Sequence, residues 1–194
     1  PSAADTRRLN CATFLIDKHL DGDAAHRIAI RNGSRIWSYR DLGHHVNRIA
    51  NLLIEDFGIQ PGNRVLIRGS NSPEVAAIWL AIQKVGAVAV TTMSQLRAGE
   101  LATLIDISQP QLAICDADLS AELEIAIDQS GGQCALLSFE AEGGELFEAL
   151  AAKSNVCDTC QTLADDISII AFTSGTTGQP KATVHFHRDI LAIC

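Results

Sequence analysis

Apolar positions along this chain recur with two alternating spacings. Ile28-Ala29-Ile30-Arg31 and Arg35-Ile36-Trp37-Ser38 flank Asn32-Gly33, the pattern of a β-hairpin closed by a tight turn. From Tyr39 to about Phe57 the spacing lengthens, and Leu42, Val46, Ile49, Ala50, Leu53 and Ile54 fall on one helical face. Ser38, with Asp41 three residues later, approximates a capping box at its start. Gly58 and Pro61-Gly62-Asn63 stop it and turn the chain. Val65-Leu66-Ile67 predicts a short strand ending at Gly69. Ser72-Pro73-Glu74 then supplies a cap, a first-turn proline and an acid at the positive dipole end of a helix reaching Val85. Gly86 marks its exit. Ala87-Val88-Ala89-Val90-Thr91 is apolar on both faces, as an interior parallel strand is.

The alternation continues. Gly99 to Ser108 predicts a helix, Gln111 to Cys115 a strand, Leu119 to Ile127 a helix, Ala135-Leu136-Leu137 a strand and Glu145 to Ala152 a helix. Ile167-Ser168-Ile169-Ile170-Ala171-Phe172 is the most apolar strand after residue 100. Repeated strand–helix–strand units predict an α/β fold with a largely parallel sheet and flanking helices. No internal repeat is present, and Gly131-Gly132 and Gly143-Gly144 read as turns. Arg188-Asp189-Ile190-Leu191-Ala192-Ile193-Cys194 opens a further helix and stops within it on apolar residues. That end, and a first residue other than Met, create the expectation that 1–194 is the front part of a longer protein.

Composition narrows the functional classes. The 194 residues, 47% apolar and 20% charged, suffice for one globular core and exclude disordered, collagen-like and mucin-like chains. A net charge of −8 argues against general nucleic-acid binding, which normally needs the opposite sign. Pro1 to Lys18 holds no secretory signal, and Val75 to Met93 is too short and too interrupted to span a bilayer. Cys11, Cys115, Cys134 and Cys194 stand singly among apolar neighbours, as buried free thiols do. Cys157-x-x-Cys160 has neither a second ligand pair at zinc-site spacing nor a strand-to-helix setting of thioredoxin type, so it reads as structural. The expected setting is reducing cytoplasm.

The chemistry concentrates in Thr173-Ser174-Gly175-Thr176-Thr177-Gly178-Gln179-Pro180-Lys181, directly after the last strand. Gly175 and Gly178 permit positive φ and close backbone approach, so successive amides can converge on one anion. Thr173, Ser174, Thr176 and Thr177 add hydroxyl donors, and Lys181 adds a mobile cation behind Pro180. Backbone dipole ends contribute roughly 0.3–1 kcal/mol each to a bound anion. Charge-assisted hydrogen bonds contribute about 1.5–3 kcal/mol each. Such a loop can hold a polyphosphate but selects neither its base nor a second substrate. A plain surface turn would be shorter and without the lysine. A Walker A loop, and with it a P-loop kinase, fails because Gln179-Pro180 separates Lys181 from Gly178.

Thr173 to Lys181 closely resembles the signature loop of the adenylate-forming superfamily, which comprises acyl- and aryl-CoA synthetases, peptide-synthetase adenylation domains and luciferases. Trp37-Ser38-Tyr39-Arg40-Asp41-Leu42 is similar to that family's early (T/S)-Y-x-(E/D)-L segment. Leu80-Ala81-Ile82-Gln83-Lys84-Val85-Gly86-Ala87-Val88 is similar to its structural L-x-x-x-K-x-G-A segment. Asn47-Arg48-Ile49-Ala50-Asn51 and Thr183-Val184-His185-Phe186-His187-Arg188-Asp189 look most like benzoate- and 2-aminobenzoate-type CoA ligases. Two departures stand out: Ala182 replaces a common glycine, and Thr91-Thr92 stands where a proline often follows the strand.

The resemblance implies that 1–194 is the N-terminal portion of an AMP-binding (adenylation) domain, incomplete as a fold. The adenine and ribose motifs, the metal-binding acid, the acyl pocket and the C-terminal lid domain would then lie beyond Cys194. It implies ATP with Mg²⁺ and coenzyme A as cofactors and a small carboxylic acid, aromatic by the narrower likeness, as substrate. The carboxylate attacks the α-phosphorus, pyrophosphate leaves, and the CoA thiol then displaces AMP from the acyl-adenylate. Thr173, Ser174, Gly175, Thr176, Thr177, Gly178 and Lys181 would contact the phosphates, with Lys181 acting in catalysis. Neither a nucleic acid nor a membrane partner is implied, and a homo-oligomer is compatible with this reading. The competing class is a non-catalytic nucleotide- or phosphate-binding module.

The remaining polar residues have plainer readings. His185 and His187 would share a face of one strand, in substrate-side packing or structural hydrogen bonding. His44-His45 reads as surface and Asp165-Asp166 as the end of a loop. Asp116 and Asp118 read as turn and cap residues, and Trp79 as core.

Overall fold

Eight strands and seven α-helices make up the described part of the chain. The structure is a computed structural model and describes residues 8–140, 143–174 and 180–193. After α1 (Cys11–Leu15) and two short 3-10 turns comes the hairpin β1 (Ile28–Asn32) and β2 (Arg35–Ser38). Then follow α2 (Tyr39–Glu55), β3 (Arg64–Arg68), α3 (Pro73–Lys84), β4 (Val88–Thr92) and α4 (Ala98–Ser108). The alternation runs on through β5 (Leu112–Asp116), α5 (Ser120–Gln129), β6 (Ala135–Phe139), α6 (Gly144–Leu150), β7 (Ile167–Ser174), β8 (Pro180–Phe186) and α7 (His187–Ile193). The expected α/β fold is present.

Local signals set the element ends. Ser38 accepts from the Asp41 amide while Asp41 accepts from the Ser38 amide, a full capping box for α2. Ser72 caps α3 through the Val75 amide, with Pro73 in the first turn. Gly86 leaves α3 at φ +75, and a Cβ there would lie 2.8 Å from Cys160 Sγ. The Cys157–Cys160 link therefore packs across the end of α3, and the Cys160 amide donates to the Lys84 carbonyl at 2.8 Å. Lys84 itself is buried, its ammonium held by Asp17 Oδ1 at 2.6 Å and Thr159 Oγ1 at 2.9 Å. That is a structural lysine, as its sequence segment implied.

The main sheet has the order β6-β5-β3-β4-β7-β8. All neighbours are parallel except β8, which runs antiparallel to β7. Val65, Ile67, Ala89, Leu112, Ile114 and Leu137 face one layer, with α2, α3 and α6. Leu66, Val90, Ala113, Cys115, Ile170 and Phe172 face the other, with α4 and α5. The central strands are buried on both faces, the reason they read as unbroken apolar runs. β7 differs: it is interior and apolar, yet most of it is only half-buried, and β8 beside it is largely exposed.

Several sequence readings need correction. His185 and His187 do not share a strand: His185 lies on β8, whereas His187 starts α7 and is fully buried. His44 is exposed, but His45 is half-buried and stacks on Trp37 with ring centroids 4.3 Å apart. Trp79 is only partly buried, packed against the core rather than within it. Cys134 is half-buried, while Cys11 and Cys115 are buried; Cys194 lies outside the described residues. Where a proline was missing, Thr92 extends β4 and its hydroxyl donates to the Ile67 carbonyl at 3.1 Å.

Candidate functional site

In a parallel sheet, ligands sit beyond the carboxyl ends of the strands. At that edge the crevice between β3 and β4 is occupied by protein. Arg68, at the end of β3, is 1% exposed. Its guanidinium donates to the carbonyls of Met93, Ser94, Leu96 and Leu119 at 2.9–3.3 Å. Beside it a cavity of about 310 Å³ remains, lined by Arg68, Ser94, Leu96 and Leu119 among others, and further along the edge stand the ends of β7 and β8.

There the predicted loop begins and ends. Thr173 on β7 pairs with Lys181 on β8, and Ser174 with Pro180, so the segment between them closes a hairpin. Gly175, Thr176, Thr177, Gly178 and Gln179 lie outside the described residues, as does the side chain of Ser174. Thr173 and Lys181 are both exposed. Paired residues of an antiparallel ladder point to the same face, with Cβ atoms about 4.5–5.5 Å apart. A hydroxyl and an ammonium are thus brought side by side at the mouth of the hairpin, and no acidic partner for Lys181 lies among the described residues. That arrangement suits an anion with several oxygens. Mg²⁺ is different: among the described residues no group of three His, Cys, Asp or Glu side chains could hold a metal ion.

Two cavities, of about 450 and 400 Å³, lie elsewhere. The first opens between α2 and the Asn155–Thr159 link, the second beside the Trp37–His45 stack and the Arg35–Glu74 ion pair. Neither is lined by Thr173 or Lys181. Asp116 accepts from the Asp118 amide and caps a short turn, and Asp166 closes a turn by accepting from the Leu163 amide. No helix among the described residues is long and apolar enough to cross a membrane.

His187 lies at the foot of the same hairpin. Its Nδ1 accepts from the Cys11 amide at 3.2 Å, so the neutral ring carries its proton on Nε2. Burial lowers its pKa below the ordinary 6.5, against an opposing pull from Asp166. The sign follows: the unfolded chain takes up this proton first, so the contribution of His187 to stability is present above pH 6.5 and is lost as pH falls through the lowered folded value. Thermal midpoints measured between pH 7.5 and 5 should decline, and His187→Gln should flatten that decline. An equally steep profile in the variant would assign the effect to other groups, His45 foremost, whose pKa is also lowered by burial.

The AMP-binding enzyme family matches residues 17–194. The chain is 28% identical over 195 residues to a 3-hydroxybenzoate–CoA/4-hydroxybenzoate–CoA ligase of Thauera aromatica, covering 94% of this chain and 36% of the relative. It is 31% identical over 164 residues to a crotonobetaine/carnitine–CoA ligase of Salmonella paratyphi A, covering 80% and 32%. Among solved structures, ATP-bound MatB from Rhodopseudomonas palustris superposes with a TM-score of 0.82 at 28% identity, over 95% of this chain and 36% of that one. The chain spans about a third of the length of the curated relatives it matches.

Proposed function

This chain belongs to the AMP-binding enzyme family, and from that premise we propose that it is the N-terminal portion of the adenylation domain of an ATP-dependent acid–CoA ligase. The whole protein joins a carboxylic acid to AMP and then transfers the acyl group to the thiol of coenzyme A. The half-buried, apolar β7 and the exposed β8 support the incomplete-domain part of this reading. An interior strand of a parallel sheet is normally covered on both faces, and Val184, 46% exposed, marks apolar surface left for the rest of the domain.

The observation that carries the activity is the Thr173–Lys181 pair at the open carboxyl edge of the sheet. Thr173, Ser174, Gly175, Thr176, Thr177, Gly178 and Lys181 hold the β- and γ-phosphates of ATP. Their task is positioning and charge neutralisation of the leaving pyrophosphate, and no protein nucleophile takes part. ATP supplies the activating phosphoryl chemistry when bound. The described residues offer no set of ligands for Mg²⁺, so no step is assigned to it. The acid is aromatic, a reading supported by the likeness of 183–189 to benzoate-type ligases and by the hydroxybenzoate ligase relative. A cytoplasmic setting suits the free thiols of Cys115, Cys134, Cys157 and Cys160.

Exchange of labelled pyrophosphate into ATP by the full-length protein tests this. Exchange dependent on benzoate, hydroxybenzoate or 2-aminobenzoate is expected. Exchange with crotonobetaine alone would keep the adenylation and remove the aromatic substrate; no exchange with any carboxylate would overturn both.

A further inference from the structure

Gln83 is an unexpected residue for its place. It is 0% exposed on α3, in a helix whose other buried positions are mainly apolar. Ser168, also 0% exposed, sits at the start of β7. The two face one another. Gln83 Oε1 accepts from Ser168 Oγ at 2.5 Å, and Gln83 Nε2 donates to the Ser168 carbonyl at 3.2 Å.

Ser168 is also where the β7–β8 register breaks. Ile167 pairs with Phe186 and Ile169 with His185, so Ser168 has no partner of its own on β8. It is the extra residue of a β-bulge. From there to the mouth, the pairing is shifted by one relative to an unbulged hairpin. The shift decides a face. Ile170 and Phe172 belong to the layer of α4 and α5, while Thr173, Ala171 and Ile169 alternate to the other side. With the bulge, Lys181 pairs with Thr173 and takes that other side. Without it, Lys181 would oppose Phe172 and turn to the α4–α5 face, because a one-residue slip moves every side chain across the sheet.

We propose that Gln83 is a positioning residue that clamps the bulge at Ser168, thereby setting the register that places Lys181 beside Thr173. The proposal rests on the phosphate-binding reading of Lys181. Both hydrogen-bonding groups of the amide are used on one residue, its hydroxyl and its carbonyl. A bulge leaves ladder groups unpaired, and buried groups of that kind need partners. The clamp supplies them from a helix outside the sheet. Its neighbours reinforce it: Asn10 Nδ2 donates to the Gln83 carbonyl at 2.8 Å, and Cys11 Sγ lies 3.7 Å from Gln83 Oε1.

The test uses the full-length protein and reads register and rate separately. Register is read by oxidative cross-linking and peptide mass mapping of two cysteine pairs. Ala171→Cys/Thr183→Cys reports the observed pairing, and Ala171→Cys/Ala182→Cys the unbulged one. With Gln83 present the first pair should cross-link. In Gln83→Met the yield should pass to the second. Pyrophosphate-exchange kcat should fall by about 100-fold with little change in the KM for the acid, as a misplaced group predicts. Leu123→Ala, buried in the α4–α5 layer, is the control: it lowers the melting temperature but should not produce that kcat loss. Ser168→Ala, which keeps the carbonyl bond, covers the case of a Gln83→Met that does not fold. It should shift both readouts part of the way, and the double variant should be no worse than Gln83→Met alone. A 171/183 cross-link yield undiminished in Gln83→Met or Ser168→Ala overturns the clamp. So does a kcat loss matched by Leu123→Ala, or additive losses in the double variant. Cross-linking needs no activity, so a failed exchange assay would strike the phosphate reading while leaving the register result to stand or fall by itself.

Discussion

Replacing Lys181 with alanine is expected to slow pyrophosphate exchange by about 10²–10³-fold, the range for removing one preorganised donor to developing charge. Stability should hardly move. Lys181 is exposed on β8 and no ion-pair partner for it lies among the described residues, and such surface changes usually stay within about 0.5 kcal/mol. The two readouts separate its roles. Loss of rate at an unchanged melting temperature identifies the ammonium as part of the phosphate cradle. Equal loss of both would make Lys181 a structural residue and remove the basis of the proposed function. Lys181→Arg should restore only part of the rate. A guanidinium keeps the charge, but its rigid fork follows a departing phosphate less readily than a point charge on a flexible stem.

Arg68→Met is expected to have the largest effect on stability, on the order of 3–5 kcal/mol, because several buried carbonyls each lose a charge-assisted hydrogen bond worth about 1.5–3 kcal/mol. The guanidinium is buried, and it satisfies carbonyls from Met93, Ser94, Leu96 and Leu119. These belong to the segment between β4 and α4 and to the turn before α5. Methionine fills similar volume but donates nothing, so four carbonyls would have to find water or new partners. Denaturant unfolding should show a lower midpoint at unchanged slope. Arg68→Lys should recover little, because three donors on one nitrogen cannot span carbonyls that a planar fork reaches in different directions. A loss below about 1 kcal/mol, the scale of one ordinary hydrogen bond, would mean that the loops rehydrate and that Arg68 does not hold them.

Arg68 and Gln83 show where reading along the chain stops. In sequence, Arg68 is the polar end of a short apolar strand and Gln83 a polar break in an apolar helix. Each looks like a residue turned to solvent. Nothing nearby in the chain identifies their partners, which lie 25 to 85 residues away. His187 misled for a related reason. The period-2 spacing with His185 is real, but β8 ends at Phe186, where Asp189 accepts from the Phe186 amide at 2.9 Å and opens α7. A local cap outweighed the continuing alternation.

The chain alone determined the order and type of the strands and α-helices after residue 27, the caps of α2 and α3, the exit of α3 at Gly86, and the composition of the loop from Thr173 to Lys181. These depend on side-chain period, helix capping and glycine conformation, all of which act between residues only a few positions apart. The tertiary structure decided the strand order β6-β5-β3-β4-β7-β8, the filling of the β3–β4 crevice by Arg68, and the bulge that aims Lys181. Those are settled by contacts between distant segments, where burial leaves each polar group only the partners that folding brings to it.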